Sequence, residues 1–157
     1  GIKNVQTEFF CIFNADGSFD PKELKMMYQL INSTDFVFGS RYMENAGSED
    51  DTIMTYVGNK IFTFIGNLFF SLNISDILYT FVMGRTKKAQ TLNLMEKDFG
   101  FCVELPIKAK KSNLSMLTSP SNERKRIAGK KKVNEFRDGF KILISMINLF
   151  FKWSLEY

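Results

Sequence analysis

The sequence has no histidine among its 157 residues. Without an imidazole, the chain cannot build a Ser-His or Cys-His nucleophile pair, a histidine general base or a zinc site that uses histidine ligands. A metal ion held by this chain would therefore take oxygen ligands, and such ligands favour hard cations such as Mg²⁺ or Mn²⁺.

Cysteine is almost as scarce. Cys11 and Cys102 are the only two, both stand in apolar surroundings, and no CxxC spacing occurs. We expect both to be buried, reduced packing residues of an intracellular protein. The first residues also lack the apolar segment of a signal peptide.

Hydrophobic residues make up 45% of the chain, charged residues 24%, and phenylalanine occurs 17 times. This composition is typical of a globular protein, and the length corresponds to one domain that can bury a sizeable core. We therefore expect a folded domain rich in buried aromatic area.

The net charge of +4 is unevenly distributed, because residues 123–132 (ERKRIAGKKK) contain six basic residues and one acidic residue. Such a run is often only a solvated loop. Here it precedes an apolar C-terminal segment and contains no aromatic residue, which favours an anionic phosphate or lipid over nucleic acid as the partner.

Strand and helix patterns alternate along the chain. Strands are predicted at 8–13, 35–40, 79–83 and 114–118, and helices at 21–31, 52–72, 101–111 and 133–156, with a small helix ending near Leu94. Pro106 should be tolerated only in the first turn of its helix. The alternation predicts an α/β domain with a mainly parallel sheet.

Asn14-Ala15-Asp16-Gly17 follows the first predicted strand directly. Oxygen atoms at the end of a strand are suited to hold a metal-bound phosphate, which predicts a metal site at Asn14 and Asp16. The same residues could instead form only an Asx turn that caps the next helix. A calcium loop is a weaker alternative, because the preceding residues have the pattern of a strand and not of a helix.

Several further motifs occur in a familiar order. They are FGSRY at 38–42, GNK at 58–60, Asp76, FCVEL at 101–105, RIAGKKK at 126–132 and RDG at 137–139. Together with the motif at residues 14–17, they resemble inverting family-2 glycosyltransferases of the GT-A fold. The similarity is to the branch that makes dolichyl- or polyprenyl-phosphate sugars.

The resemblance implies a three-layer α/β/α fold and a metal-assisted transfer of sugar from a nucleotide-sugar donor to a lipid phosphate. It also implies a cytoplasmic protein at the membrane, with Mg²⁺ or Mn²⁺ as cofactor. The implied residues are Asp16 and Glu104 for catalysis, Asn14, Asp16, Ser18, Arg41 and Asp76 for the donor, Arg126 and Lys132 for the acceptor phosphate, and Asn14 and Asp16 for the metal.

The chain departs from the family pattern at several places. Asn14 replaces an aspartate, Lys131 replaces a serine, and residues 80–82 replace a glycine-aromatic-arginine step. The strands that grip the nucleobase should precede Gly1, so we expect residues 1–132 to be the C-terminal part of a catalytic domain. These departures leave a second hypothesis open, a non-catalytic membrane-surface or partner-binding module.

Three of the implied roles have structural alternatives. Arg41 could pair with the acidic loop at 44–51, and Asp76 could orient that arginine or cap a turn. Glu104 could serve only the charge balance at a helix N-terminus. The last helix, at 133–157, is predicted to be amphipathic, and it could lie at a membrane interface or cover the core.

Overall fold

The structure is a computed structural model, and it describes residues 1–96, 98–127 and 134–154. The strands are β1 (Phe9–Ile12), β2 (Phe36–Ser40), β3 (Gly47–Ser48), β4 (Val82–Arg85), β5 (Met116–Pro120) and β6 (Asn122–Glu123). The helices are α1 (Glu23–Leu30), α2 (Ile53–Phe70), α3 (Thr86–Thr91), α4 (Gly100–Lys111) and α5 (Glu135–Ser154).

The central sheet has four strands in the order β1-β4-β2-β5. β2 and β5 are parallel, whereas β4 is antiparallel to both of its neighbours, β1 and β2. Three of the four strands therefore point in the same direction, but two of the three pairings are antiparallel, so this sheet is mixed where a mainly parallel sheet was predicted. β3 and β6 pair as a short parallel ribbon beside it.

Helices cover both faces of the central sheet. Side chains alternate between the faces of a strand, so Phe36 and Phe38 of β2 pack with residues of α3 and α4 while Val37 packs with residues of α1. The result is the three-layer α/β/α arrangement expected of a GT-A-like fold.

α2 and α5 lie against α4, on the side of the molecule away from α1. Ile142 and Met146 of α5 are buried together with Phe70 of α2 and with Val103 and Ile107 of α4. The last helix therefore covers the core with one of its sides. Within the described residues, no helix is long and apolar enough to cross a membrane.

Two strands begin later than predicted, β4 at Val82 and β5 at Met116. Tyr79 and Phe81 precede β4 and are buried around Phe19, and the Phe81 carbonyl still accepts the Gly39 N–H of β2 at 2.8 Å. Core packing therefore extends the apolar pattern beyond the strand, and sequence pattern does not separate these two causes.

Two other expectations were wrong. Pro106 lies in the interior of α4, where its flanking residues Leu105 and Ile107 are fully buried, so packing offsets the missing backbone hydrogen bond. Cys11 is exposed, because it lies in the edge strand β1. Cys102 is buried as expected, and burial raises the pKa of its thiol to about 12.

Candidate functional site

Four segments meet at one edge of the sheet, the edge formed by the carboxyl ends of the parallel strands. Three of them follow β1, β2 and β5, and the fourth precedes β4. Because β4 runs opposite to the others, its start lies where the other strands end. A cavity of about 720 Å³ lies at this edge, and α2 and α5 contribute to its walls. In open α/β sheets, ligands bind at the carboxyl ends of the strands.

The turn after β1 brings Asn14 and Asp16 to the cavity. One oxygen of Asp16, Oδ1, accepts hydrogen bonds from the Ser18 backbone N–H at 3.1 Å and from the Ser18 hydroxyl at 2.7 Å. The Ser18 hydroxyl is the main cause that lowers the pKa of Asp16. The turn is thus an Asx turn, but it does not cap the next helix as that alternative predicted, because α1 begins only at Glu23. Ser18 is buried beneath the turn rather than in the cavity wall.

Residues 124–127 lie on top of this turn. The backbone N–H of Arg124 donates to the Ser18 carbonyl and that of Ile127 to the Asp16 carbonyl, both at 2.8 Å. Gly17 has φ +84°, and a Cβ at this position would lie 2.7 Å from Ile127 Cδ1. The glycine therefore permits both the left-handed backbone and the close approach of the two segments.

This contact places Arg126 in the cavity wall. Its guanidinium binds the Asp50 carboxylate at 2.6 Å, and its Nη1 lies 3.8 Å from Asp16 Oδ2. Arg126 thus links two carboxylates that are far apart in the sequence. Lys132, the other residue predicted to bind acceptor phosphate, lies outside the described residues.

Arg41 lies at the centre of a second charged cluster. Its guanidinium contacts Asp76 at 2.8 Å, Glu123 at 3.0 Å and Asp51 at 3.2 Å. The group also stacks on the Tyr79 ring, 4.6 Å from the centroid. Burial alone would lower the pKa of Arg41, but the hydrogen bond to Asp76 raises it above its ordinary value.

Asp76 is fully buried and is committed to this cluster. Both of its oxygens accept hydrogen bonds from the Arg41 guanidinium, and Oδ2 also accepts the Arg41 backbone N–H. The Asn59 side chain donates to the same carboxylate. Asp76 therefore orients Arg41, as one alternative predicted, and the pair joins the end of β2 to the segment that follows α2.

Glu104 is buried in α4 and does not line the cavity. Its carboxylate accepts the backbone N–H groups of Met95 and Glu96 at about 2.9–3.0 Å and pairs with Lys108 Nζ at 2.7 Å. The predicted base is thus not brought to the site. The side chain fastens the loop after α3 to α4.

The acidic side chains of the cavity are mostly ones that sequence reasoning missed. Asp50, Asp51, Glu123, Glu135 and Asp138 line it together with Asp16. Asp50 and Asp51 lie in the acidic loop proposed to pair with Arg41, and Asp138 lies in the RDG motif, but neither pattern assigned them to this cavity. All five reach it through tertiary contacts, which no local pattern encodes.

Asp138 illustrates this. It accepts the backbone N–H of Asn134 at 2.8 Å, and Asn134 Oδ1 in turn accepts the Arg137 N–H at 3.0 Å. The bond from the Asn134 N–H is the main cause that lowers the pKa of Asp138. The RDG motif thus caps the start of α5, and it brings Asp138 and Gly139 to the cavity wall.

Comparison with protein families agrees with this geometry. The model of glycosyl transferase family 2 matches residues 1–92, which is more than half of the chain. The chain belongs to glycosyl transferase family 2. No curated protein matches it significantly.

Membership of this family implies a glycosyltransferase that uses a nucleotide-sugar donor and an acceptor. The match includes the turn at Asn14–Asp16, Arg41 and Asp76, and it ends before Glu104 and Arg126. The assignment of acceptor residues therefore gains nothing from the family match.

The oxygen atoms that this glycosyltransferase presents at the cavity fit a divalent cation only in part. Within the described residues, no three His, Cys, Asp or Glu side chains converge as a metal site. Asp16 offers Oδ2 and Asn14 offers a neutral carbonyl oxygen at the cavity. Mg²⁺ is commonly held by one or two carboxylates and completed by substrate phosphates and water, so this sparse set fits a cation that arrives with a diphosphate.

Proposed function

We propose that the domain transfers a sugar, with inversion, from a nucleoside-diphosphate sugar to a polyprenyl phosphate or a similar lipid phosphate. Mg²⁺ or Mn²⁺ assists, and Asn14 and Asp16 hold it. The observation that carries the proposal is the placement of Asp16 at the carboxyl edge of the sheet, in the wall of a cavity of about 720 Å³.

The charge of the cavity supports a cation-dependent donor site. Six carboxylates and two guanidiniums line it, an excess of four negative charges. A diphosphate would be repelled from such a cavity unless cations accompany it. A divalent ion held by Asp16 would reduce this repulsion.

Asn14 and Asp16 would bind the cation from the side of β1, and the Asx turn fixes the Asp16 carboxylate before substrate arrives. When bound, the cation supplies Lewis-acid stabilisation of the charge that develops on the leaving diphosphate. Arg126 is partly exposed beside Asp16, and its fork of N–H donors suits a phosphate oxygen.

The position of Glu104 is compatible with a phosphate acceptor. An acceptor hydroxyl needs a base to remove its proton, whereas a lipid phosphate is already ionised near neutral pH. With Glu104 engaged away from the cavity, a phosphate acceptor is the simpler hypothesis. We place the domain at the cytoplasmic face of a membrane, where such acceptors are found.

Isothermal titration tests the donor site. UDP and GDP, each with Mn²⁺, are titrated into the wild-type protein, Asp16→Ala and the control Glu44→Gln, which removes an exposed charge outside the cavity. We expect binding by the wild type and by Glu44→Gln, and a loss of at least about tenfold in affinity for Asp16→Ala. Equal affinity of all three proteins would contradict a role for Asp16.

The competing hypothesis is a non-catalytic module of the same fold, which the single carboxylate of the Asn14–Asp16 pair favours. A transfer assay separates the two hypotheses. Radiolabelled nucleotide sugars are incubated with the protein and a polyprenyl phosphate, and lipid-linked product is extracted. Product formed by Glu44→Gln and lost in Asp16→Ala supports the enzyme, whereas binding of nucleotide without any product supports the module.

A further inference from the structure

The outward face of α2 is apolar. Ile53, Val57, Ile61, Phe64 and Leu68 recur every three or four residues and are between 45% and 86% exposed. This spacing places them on one side of the helix. The buried side carries Asn59, Thr63, Gly66 and Phe70, and the partly buried Phe62 and Ile65 also pack against the core. A helix of an ordinary soluble domain turns polar side chains to the solvent, whereas α2 turns large apolar ones.

α5 repeats the pattern. Phe136, Phe140, Leu143, Ile147 and Phe151 have the same spacing and are between 36% and 78% exposed. Its buried side includes Ile142 and Met146. Two separate helices of this chain therefore present large apolar side chains on the face turned away from the core.

The two helices run side by side in the same direction. The Thr52 hydroxyl, at the start of α2, donates to Glu135 at the start of α5, at 3.1 Å. Near the other end, the exposed rings of Phe69 and Phe150 are in edge contact, with centroids 5.7 Å apart. The two apolar stripes therefore join into one surface, which we call the α2–α5 face.

Glu135 and Asp138 lie in the first turn of α5, but beyond that turn the charges on the two helices have one sign. Residues 53–70 and 139–154 contain no aspartate or glutamate, although the chain has 17 acidic residues. Their only charged residues are Lys60, Lys141 and Lys152. Apolar side chains flanked by lysine suit a bilayer interface, where the rings enter the acyl boundary and the ammonium groups meet anionic headgroups.

We infer that α2 and α5 together form the surface by which this domain binds an anionic lipid bilayer. The sequence pattern indicated this role only for the last helix, and the structure adds α2. Since the same two helices contribute Gly58, Phe62, Gly139 and Ile142 to the cavity wall, the bound bilayer lies next to the cavity. The value of this position for catalysis rests on the proposed function.

Vesicle co-sedimentation of the full chain tests the surface. The vesicles contain phosphatidylcholine with or without phosphatidylserine. The variants are Phe64→Ser with Leu68→Ser for α2, and Phe140→Ser with Ile147→Ser for α5. The control, Met26→Ser with Tyr28→Ser, removes two exposed apolar side chains of α1, away from the face. We expect each face variant to partition about tenfold or more weakly than the wild type, and the control to bind normally.

Charge reversal gives a second readout. Lys60→Glu with Lys141→Glu should weaken binding to the vesicles that contain phosphatidylserine, and added salt should reduce the difference. Normal binding of the α2 variant to both kinds of vesicle would overturn the inference, because α2 would then not contact lipid.

A second copy of the chain is the other occupant that could cover this face. Sedimentation velocity without lipid distinguishes the two. A dimer that the α2 variant converts to a monomer, with vesicle binding unchanged, would assign the face to self-association and overturn the inference.

Failure of this inference and failure of the proposed function give different results. Vesicle binding that persists without any transferase activity rejects only the proposed function. Transfer of sugar to a short, water-soluble polyprenyl phosphate by a protein that does not bind vesicles rejects only the bilayer surface.

Discussion

The guanidinium of Arg41 lies among three carboxylates, and its side chain is only 9% exposed. Four of its hydrogen bonds go to Asp76, Asp51 and Glu123. Its position at the end of β2 suggested that it binds phosphate, yet most N–H groups of its guanidinium already donate to carboxylates of the protein. Its main role in this structure is to hold the loop before α2 and the strand β6 at the cavity.

We expect Arg41→Ala to lower the free energy of unfolding by about 3–5 kcal/mol, because it leaves the fully buried Asp76 without its counter-charge. Arg126→Ala removes an ion pair whose arginine side chain is 24% exposed, and it should cost about 1 kcal/mol or less. Urea unfolding followed by circular dichroism measures both. Equal losses would show that burial does not set the strength of these pairs.

At the level of the elements, two glycines have opposite surroundings. A Cβ at Gly84 in β4 would lie 2.6 Å from the ring of Phe36 and 2.7 Å from that of Phe10. Both rings are buried in the core. At Gly58 in α2, no atom lies within 4 Å of the corresponding position.

Gly84→Ala should therefore destabilise the protein by about 1–3 kcal/mol through overpacking. Gly58→Ala should stabilise it by roughly 0.5–1 kcal/mol, because alanine loses less backbone entropy in a helix. Thermal unfolding of the two variants beside the wild type checks the signs. A stabilising Gly84→Ala would mean that the sheet has space against α4 that the structure does not contain.

The elements also show where sequence patterns succeed. The long helices α2 and α4 were predicted within one or two residues of their ends. The starts of β4 and β5 were not, because buried loop residues such as Tyr79 and Phe81 are as apolar as strand residues. In α2 the period predicted a helix but not which side would be buried.

For the whole molecule, the absence of histidine has a consequence for pH dependence. No side chain of this protein has an ordinary pKa between about 5 and 8, and the α-amino group is the only other group that titrates in this range. The pKa values of Asp16 and Asp138 are lowered from 3.8 by hydrogen bonds from Ser18 and from the Asn134 N–H. Carboxyl groups of this kind bind fewer protons in the folded state than in the unfolded state.

We therefore expect the free energy of unfolding to be nearly constant between about pH 6 and pH 8. It should decrease below about pH 4, as the pH falls through the folded pKa values of these carboxyls. Asp16→Ala should have a lower free energy of unfolding than the wild type at neutral pH, and this difference should become smaller over the same acidic range. Urea titrations at stepped pH test this, and a marked loss of stability between pH 8 and pH 6 would contradict it.

The sequence by itself determined the kinds of element, their order and the turn that carries Asn14 and Asp16, because these depend on local periodicity and local turn chemistry. It also fixed the oxygen-only chemistry of any metal site. Only the tertiary structure decided that Arg41 is buried among carboxylates, that Glu104 lies away from the cavity and that Arg126 meets Asp16. These outcomes depend on contacts between residues that are distant in the chain. The same is true of the α2–α5 face, since the helical period is identical whichever side packs on the core.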